Sequence, residues 1–254
     1  MVAAVLWGRD HVVYDDVALA IPADGVAIAL SRGKVPKPYT YVDPNEDVVA
    51  AAIGDEAMLL VVADGHNGVQ AAEIAVDVAL QSAGVPTPEL AGRLVGLFGV
   101  AHEAVRAATA SLRLPHRESR TTLTIGLLCG GTLSWASLGD STLMLVTPRD
   151  GLAVTTGRHR FVGFAMPTRD LLADVDHGSV AVPDDAWVVA ATDGFLNFTL
   201  NSDPARAAAV VLARQRKAAD GARALIAHAF SAGAGDNVAV GVVEPARSRK
   251  AKLG

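Results

Sequence analysis

Leu59-Leu60-Val61-Val62-Ala63-Asp64-Gly65-His66-Asn67-Gly68 is an unbroken apolar run that ends in an acid, a glycine, a histidine and a further glycine. A short apolar run bounded by turn residues reads as a buried strand. Its terminal carboxylate belongs at the rim of a core, because an unpaired buried charge is too costly. Asp-Gly is also a leading hairpin signal, and a hairpin needs its second strand at once. Residues 69–83 instead place Val69, Ala72, Ala75, Val76 and Ala79 on one side and Gln70, Glu73 and Asp77 on the other, the pattern of an amphipathic helix. Asp64 is therefore expected at a strand-to-helix junction, where chemistry and a plain turn are both open readings.

The bulk composition bounds what surrounds this stretch. A chain of 254 residues with 51% hydrophobic residues has ample material for a core and is no disordered chain. A formal charge of −5 and the lack of a basic stripe with interleaved aromatics speak against nucleic acid. The single cysteine, Cys129, permits no internal disulfide and sits in an apolar run as a small hydrophobe. No signal peptide opens the sequence, and no apolar run reaches the roughly 20 residues of a membrane helix. The expectation is a cytoplasmic protein with no membrane partner.

Outward from Asp64, the pattern predicts strands at residues 2–7, 17–21, 26–30 and 48–53, with an irregular, proline-rich loop over 31–45. Thr87-Pro88-Glu89 reads as a capped helix start, running to about Leu112. His102 on that helix reads as a surface or core-edge histidine. Strands at 121–129, 132–138, 143–146 and 152–155, joined by Gly130-Gly131, Gly139-Asp140-Ser141 and Asp150-Gly151, read as an antiparallel meander. Residues 157–177 read as a long loop or a short irregular subdomain, and long loops are a frequent place for functional lids. Strands follow at 179–182 and 186–191, then helices from Asp203-Pro204 to about Arg214 and over 218–231, and a last strand at 238–243. No linker or repeat divides the chain, so residues 1–244 are expected to form a single domain and 245–254 a frayed basic tail.

Asp47, Asp64, Asp140, Asp193 and Asp236 each lie where an apolar run meets a corner or loop. Five carboxylates converging on one sheet edge would repel strongly unless cations were bound. Oxygen donors of this kind suit Mg²⁺ or Mn²⁺, and the absence of a cysteine pair or His-x-x-x-His spacing speaks against zinc. The bland alternative is a set of unrelated surface turns. Their recurrence argues against it.

Asn45-Glu46-Asp47, Asp64-Gly65-His66-Asn67-Gly68, Thr121-Thr122, Gly139-Asp140-Ser141, Thr192-Asp193-Gly194 and Gly235-Asp236-Asn237 together resemble the ordered motifs of the PPM family, the metal-dependent Ser/Thr protein phosphatases of type 2C. The resemblance spans about residues 45–244. It implies an α+β fold, a four-layer α-β-β-α sandwich of two antiparallel sheets flanked by helices. It implies Mg²⁺ or Mn²⁺, two ions per site and a third beside Asp140. By the same resemblance Asp64 bridges the two ions, the Gly65 carbonyl and Asp47 (with Glu46 beside it) serve one, and Asp193 and Asp236 hold the other. His66 matches the proposed general acid. Asn237 would orient Asp236, and Thr122 would be a structural neighbour. The implied reaction is hydrolysis of phosphomonoesters on phosphorylated Ser/Thr protein substrates by in-line attack of a metal-bridging hydroxide.

The pattern is broken in two places. The family's phosphate-gripping arginine shortly before Asn-Glu-Asp is replaced by Tyr41-Val42-Asp43-Pro44, with Lys34, Lys37, Arg158 and Arg160 as candidate substitutes. The family's Asp-His pair is represented by Arg158-His159. Two further readings stay open on these grounds: a pseudophosphatase-type module that binds a phosphoprotein without turnover, and a phosphohydrolase of small metabolites.

Overall fold

The computed structural model describes residues 2–37, 41–155, 160–199 and 203–246. Its strands are β1 (Val2–Trp7), β2 (Ala18–Ala23), β3 (Val26–Ser31), β4 (Val48–Ile53), β5 (Ala57–Ala63), β6 (Gly65–His66), β7 (Arg120–Thr121), β8 (Leu123–Cys129), β9 (Thr132–Leu138), β10 (Thr142–Val146), β11 (Gly151–Ala153), β12 (Asp176–Ala181), β13 (Trp187–Ala191) and β14 (Val238–Val243). The α-helices are α1 (Gln70–Ala83), α2 (Leu94–Thr109), α3 (Thr168–Asp174), α4 (Asp193–Leu196), α5 (Pro204–Leu212) and α6 (Ala218–Ser231). Two six-stranded sheets run in the orders β1-β4-β5-β8-β9-β12 and β11-β10-β13-β14-β3-β2, and every described strand pair is antiparallel.

The apolar run at Asp64 is unbroken because both faces of its strand are buried. Leu59, Val61 and Ala63 pack with Ala72, Val76 and Phe98 of the helices outside the first sheet. The alternate residues Leu60 and Val62 pack with Ile28, Leu143 and Val188 of the facing sheet. Side chains alternate along a strand, so one run feeds two cores. On the far side, Val189, Ala191, Val240 and Val242 pack with Leu225, Ile226 and Phe230 of α6 and Leu212 of α5. This is the expected four-layer α-β-β-α sandwich.

Several expectations change in detail. The chain after Thr87 enters a 3-10 turn, Pro88–Arg93, before α2, and the Thr87 side chain makes no cap. By contrast, Asp203 caps α5 as its sequence suggests, accepting from the amides of Ala205 and Arg206. The meander over 121–155 is split: β8 and β9 form a hairpin in the first sheet, while β10 and β11 belong to the second. Gly139-Asp140-Ser141 is therefore a crossing between sheets and no hairpin turn. Gly139 has φ +106°, and a Cβ there would lie 2.5 Å from Thr122 Cγ2. Only glycine fits so tight a crossing. The loop over 157–177 holds α3 and the start of β12. Arg158, His159 and residues 247–254 of the basic tail lie outside the described residues.

Candidate active site

Asp64 follows β5 directly, and its backbone is held at both ends. Its amide donates to Thr122 Oγ1 at 2.9 Å, and its carbonyl accepts from Thr122 N at 3.0 Å and Thr121 Oγ1 at 2.8 Å. Thr122 is thus a structural neighbour. The Asp64-Gly65 step is no hairpin: β6 pairs with β7, setting Gly65 opposite Thr121 and His66 opposite Arg120. A Cβ on Gly65 would stand 2.5 Å from the Glu46 carbonyl, so glycine lets this backbone pass against the 41–47 loop.

That loop is organised by Glu46 and Asn237. Glu46 Oε1 accepts from the amides of Asp43 and Gly68, both at 2.9 Å. Asn237 Oδ1 accepts from Glu46 N at 3.0 Å, while its Nδ2 donates to the carbonyls of Arg32 and Pro44. The Asn237 side chain therefore ties loops together and does not touch Asp236. Its backbone amide, donating to Asp236 Oδ1 at 2.8 Å, does that. Asp47 is buried and its Oδ2 accepts from Thr192 Oγ1 at 2.7 Å. Asp193 opens α4, and its Oδ2 accepts from Asn197 Nδ2 at 2.9 Å.

Each of the five acids acts on another. Burial first, then the charges of Asp64 and Asp236, push Asp193 up to about 9. Burial and the nearby Asp47 push Asp64 up to about 6, against the pull of His66. Burial raises Asp47 well above the carboxylate range, and the charges of Asp236 and Asp193 add to it. Asp140 also raises Asp193, and its own Oδ1 is buried with no hydrogen-bond partner. Such a cluster holds more negative charge than it can carry unassisted.

Lys37 answers part of that charge. Its Nζ lies 2.8 Å from Asp236 Oδ1, with the side chain only 6% exposed. Burial works to lower its pKa, but Asp236, Asp47 and Asp64 together raise it. Of the other substitutes considered for the phosphate grip, Lys34 is exposed and Arg160 pairs with Asp174 at 3.3 Å. His66 Nδ1 lies 3.5 Å from Asp64 Oδ1. Burial would lower its pKa, yet the Asp64 carboxylate prevails and raises it. Its ring stands 4.7 Å from the Phe161 ring. Lys37, Asp64, His66 and Arg120 share one cleft of about 170 Å³. From the sequence, Arg120 and Phe161 carry no site role, and Thr192 enters only within the Thr192-Asp193-Gly194 motif. Arg120 stands directly before Thr121-Thr122, but nothing in the chain order tells that it faces His66.

His102 is fully buried, not at the surface or core edge. Its Nδ1 accepts from Gly163 N and its Nε2 meets the Met166 carbonyl, both at 3.1 Å. It pins the segment that carries Phe161.

The donor set fits hard divalent cations: carboxylates and one glycine carbonyl, with an orphaned Asp140 oxygen and acids raised by burial and then by one another's charge. Among the described residues, no three His, Cys, Asp or Glu groups close on one ion as a protein-only cage.

Comparison with known proteins agrees with this geometry. The structure is similar to the S. agalactiae serine/threonine phosphatase, at 16% identity and TM-score 0.70, covering 90% of this chain and 99% of that one. It is similar to the catalytic domain of the serine threonine protein phosphatase PstP in complex with two manganese ions, at 21% identity and TM-score 0.69, covering 90% and 99%. It is also similar to Stp1 from Staphylococcus aureus, at 16% identity and TM-score 0.68, covering 87% and 95%. No curated protein matches by sequence. The family model described as protein phosphatase 2C matches residues 41–228, and the chain belongs to that family.

Proposed function

We propose that this protein is a Mg²⁺- or Mn²⁺-dependent phosphatase that hydrolyses phosphoserine and phosphothreonine esters on proteins. The observation that carries this reading is the carboxylate set around Asp64: burial first, and then the acids' own charges, raise Asp47, Asp64 and Asp193, and Asp64 shares its cleft with His66. The related PstP catalytic domain with two manganese ions supports the choice of cation.

Asp47, Asp64, Asp193, Asp236 and the Gly65 carbonyl would hold two ions, with Asp140 at the side for a third. Bound there, the ions would acidify water and neutralise phosphoryl oxygens. The protein's own contribution is positioning and proton supply. Thr121 and Thr122 lock the Asp64 backbone. Thr192 fixes Asp47. With His66 Nδ1 toward Asp64, Nε2 is the nitrogen that gives a proton to the leaving serine or threonine oxygen. General acids of this kind contribute roughly 10²–10⁴-fold. Residues 1–244 act in this reading as one catalytic unit.

One observation favours a second reading, recognition of a phosphoprotein without turnover: the Lys37 ammonium already neutralises Asp236. Hydrolysis of an aryl phosphate and a phosphothreonine peptide, each with Mn²⁺, with Mg²⁺ and with chelator, separates the two. Metal-dependent turnover of both substrates supports the phosphatase. Turnover of the aryl phosphate alone points to a small-metabolite phosphohydrolase. No turnover despite metal binding leaves the recognition module.

A further inference from the structure

A phosphate ester entering the cleft brings negative charge to a place already crowded with carboxylates. Cationic side chains must meet the phosphoryl oxygens that bound ions do not reach. Three side chains that carry or can take a positive charge line the cleft: Lys37, His66 and Arg120. Lys37 is engaged with Asp236, and His66 faces Asp64. Arg120 is placed differently. Its Nε is buried without a hydrogen-bond partner, and among the described residues its guanidinium enters no ion pair. A buried donor left unmet costs roughly 1–3 kcal/mol, so its retention calls for a ligand.

The position is also built. Arg120 is the direct cross-strand partner of His66 in the β6–β7 ribbon. Opposed residues in an antiparallel pair share a face, with Cβ atoms about 4.5–5.5 Å apart. Phe161 braces both, its ring centroid 5.3 Å from the Arg120 guanidinium carbon and 4.7 Å from the His66 ring centroid. Phe161 is in turn carried by the segment that His102 pins through Gly163 and Met166. The fold thus holds an uncommitted planar guanidinium beside the proton donor.

We propose that Arg120 is the residue that grips the phosphate of the substrate, its fork spanning phosphoryl oxygens while Phe161 fixes the plane of the guanidinium. This rests on the phosphatase reading above. A guanidinium gives two parallel hydrogen bonds to a phosphate where a lysine gives a point charge.

The test compares the unaltered protein with Arg120→Met and Arg120→Lys, with Mn²⁺ present. Loss of a charge-assisted pair should raise both the KM for a phosphothreonine peptide and the inhibition constant of orthophosphate by roughly 10–100-fold in Arg120→Met. Arg120→Lys should recover part of each. A merely structural arginine would lower the melting temperature and leave both constants within threefold of the unaltered protein, and that result overturns the proposal. A second measurement needs no variant. Phenylglyoxal modification of the unaltered protein, mapped by peptide mass, should mark Arg120, and orthophosphate should protect it. Equal marking with and without phosphate, or no marking at all, overturns the grip. If the unaltered protein turns over neither substrate, the phosphatase reading fails, while phosphate protection of Arg120 still decides the binding claim.

Discussion

Lys37 Nζ and Asp236 Oδ1 stand 2.8 Å apart, so one carboxylate of the acidic cleft already has a cation of the protein's own. A divalent ion drawn to Asp236 meets that ammonium as a like charge. Lys37→Met keeps much of the aliphatic stem and removes the charge. Mn²⁺ affinity measured by titration calorimetry should rise, roughly tenfold for a single nearby charge at partial screening. Unchanged or weaker binding would mean that Lys37 shapes the loop and does not compete with the metal.

Asp64→Asn should abolish metal-dependent hydrolysis and leave the fold intact, because it removes a charge and almost no volume. The same change should stabilise the metal-free protein. Asp64 is held near 6, above its ordinary range, so its ionised form is disfavoured in the folded state. For a carboxyl raised in this way, stability falls as pH climbs from about 4 to about 6 and stays low above that. The metal-free variant should therefore unfold at a higher temperature than the parent at pH 7.5, with the gap closing at pH 4. A lower melting temperature at pH 7.5 would count against the mutual repulsion of these acids.

His66→Ala should separate substrates by leaving group. Phosphoserine peptides leave as a poor alkoxide and should slow by roughly 10²–10⁴-fold. An activated aryl phosphate needs little protonation and should slow by less than about tenfold. Equal losses on both substrates would remove His66 from the role of acid.

His102 ties α2 to the segment carrying Phe161. Burial lowers its pKa, and the neutral ring uses both nitrogens, one accepting from Gly163 N and one facing the Met166 carbonyl. Protonation removes the acceptor. A histidine with a depressed folded pKa contributes stability that is full above about 6.5 and fades as pH drops through its folded value. Urea unfolding should therefore show a loss of stability between pH 7 and pH 5. His102→Gln should flatten that part of the slope while lowering stability at pH 7 by roughly 1–3 kcal/mol. An unchanged slope would assign the acid sensitivity to another group.

Much of the sandwich was readable because local pattern and final environment agree. Val48–Ile53, Thr132–Leu138, Ala218–Ser231 and Val238–Val243 run between the same residues in sequence and in structure. Each is an apolar run or an amphipathic repeat bounded by breakers. The split at Gly139 was not readable. A glycine corner has the same local signature whether the next strand pairs beside the last or crosses to another sheet. Only the sheet assignment of β9 and β10, with Gly139 packed against Thr122 between β7 and β8, excludes a hairpin there. His102 was misjudged for a related reason: its partners Gly163 and Met166 lie some sixty positions away.

The sequence by itself determined which atoms are present for the chemistry. It set five acids at the ends of apolar runs, glycines where backbones pass closely, and a histidine two residues after Asp64. Those follow from short-range rules, since strand length, turn residues and charge at a core's rim are local properties. The tertiary structure alone decided which groups answer one another. It placed Lys37 on Asp236 across the proline-rich loop, Thr192 on Asp47, and Arg120 opposite His66. Pairings of that kind depend on strand register and on the packing of one sheet against the other, and neither is encoded in the spacing of residues along the chain.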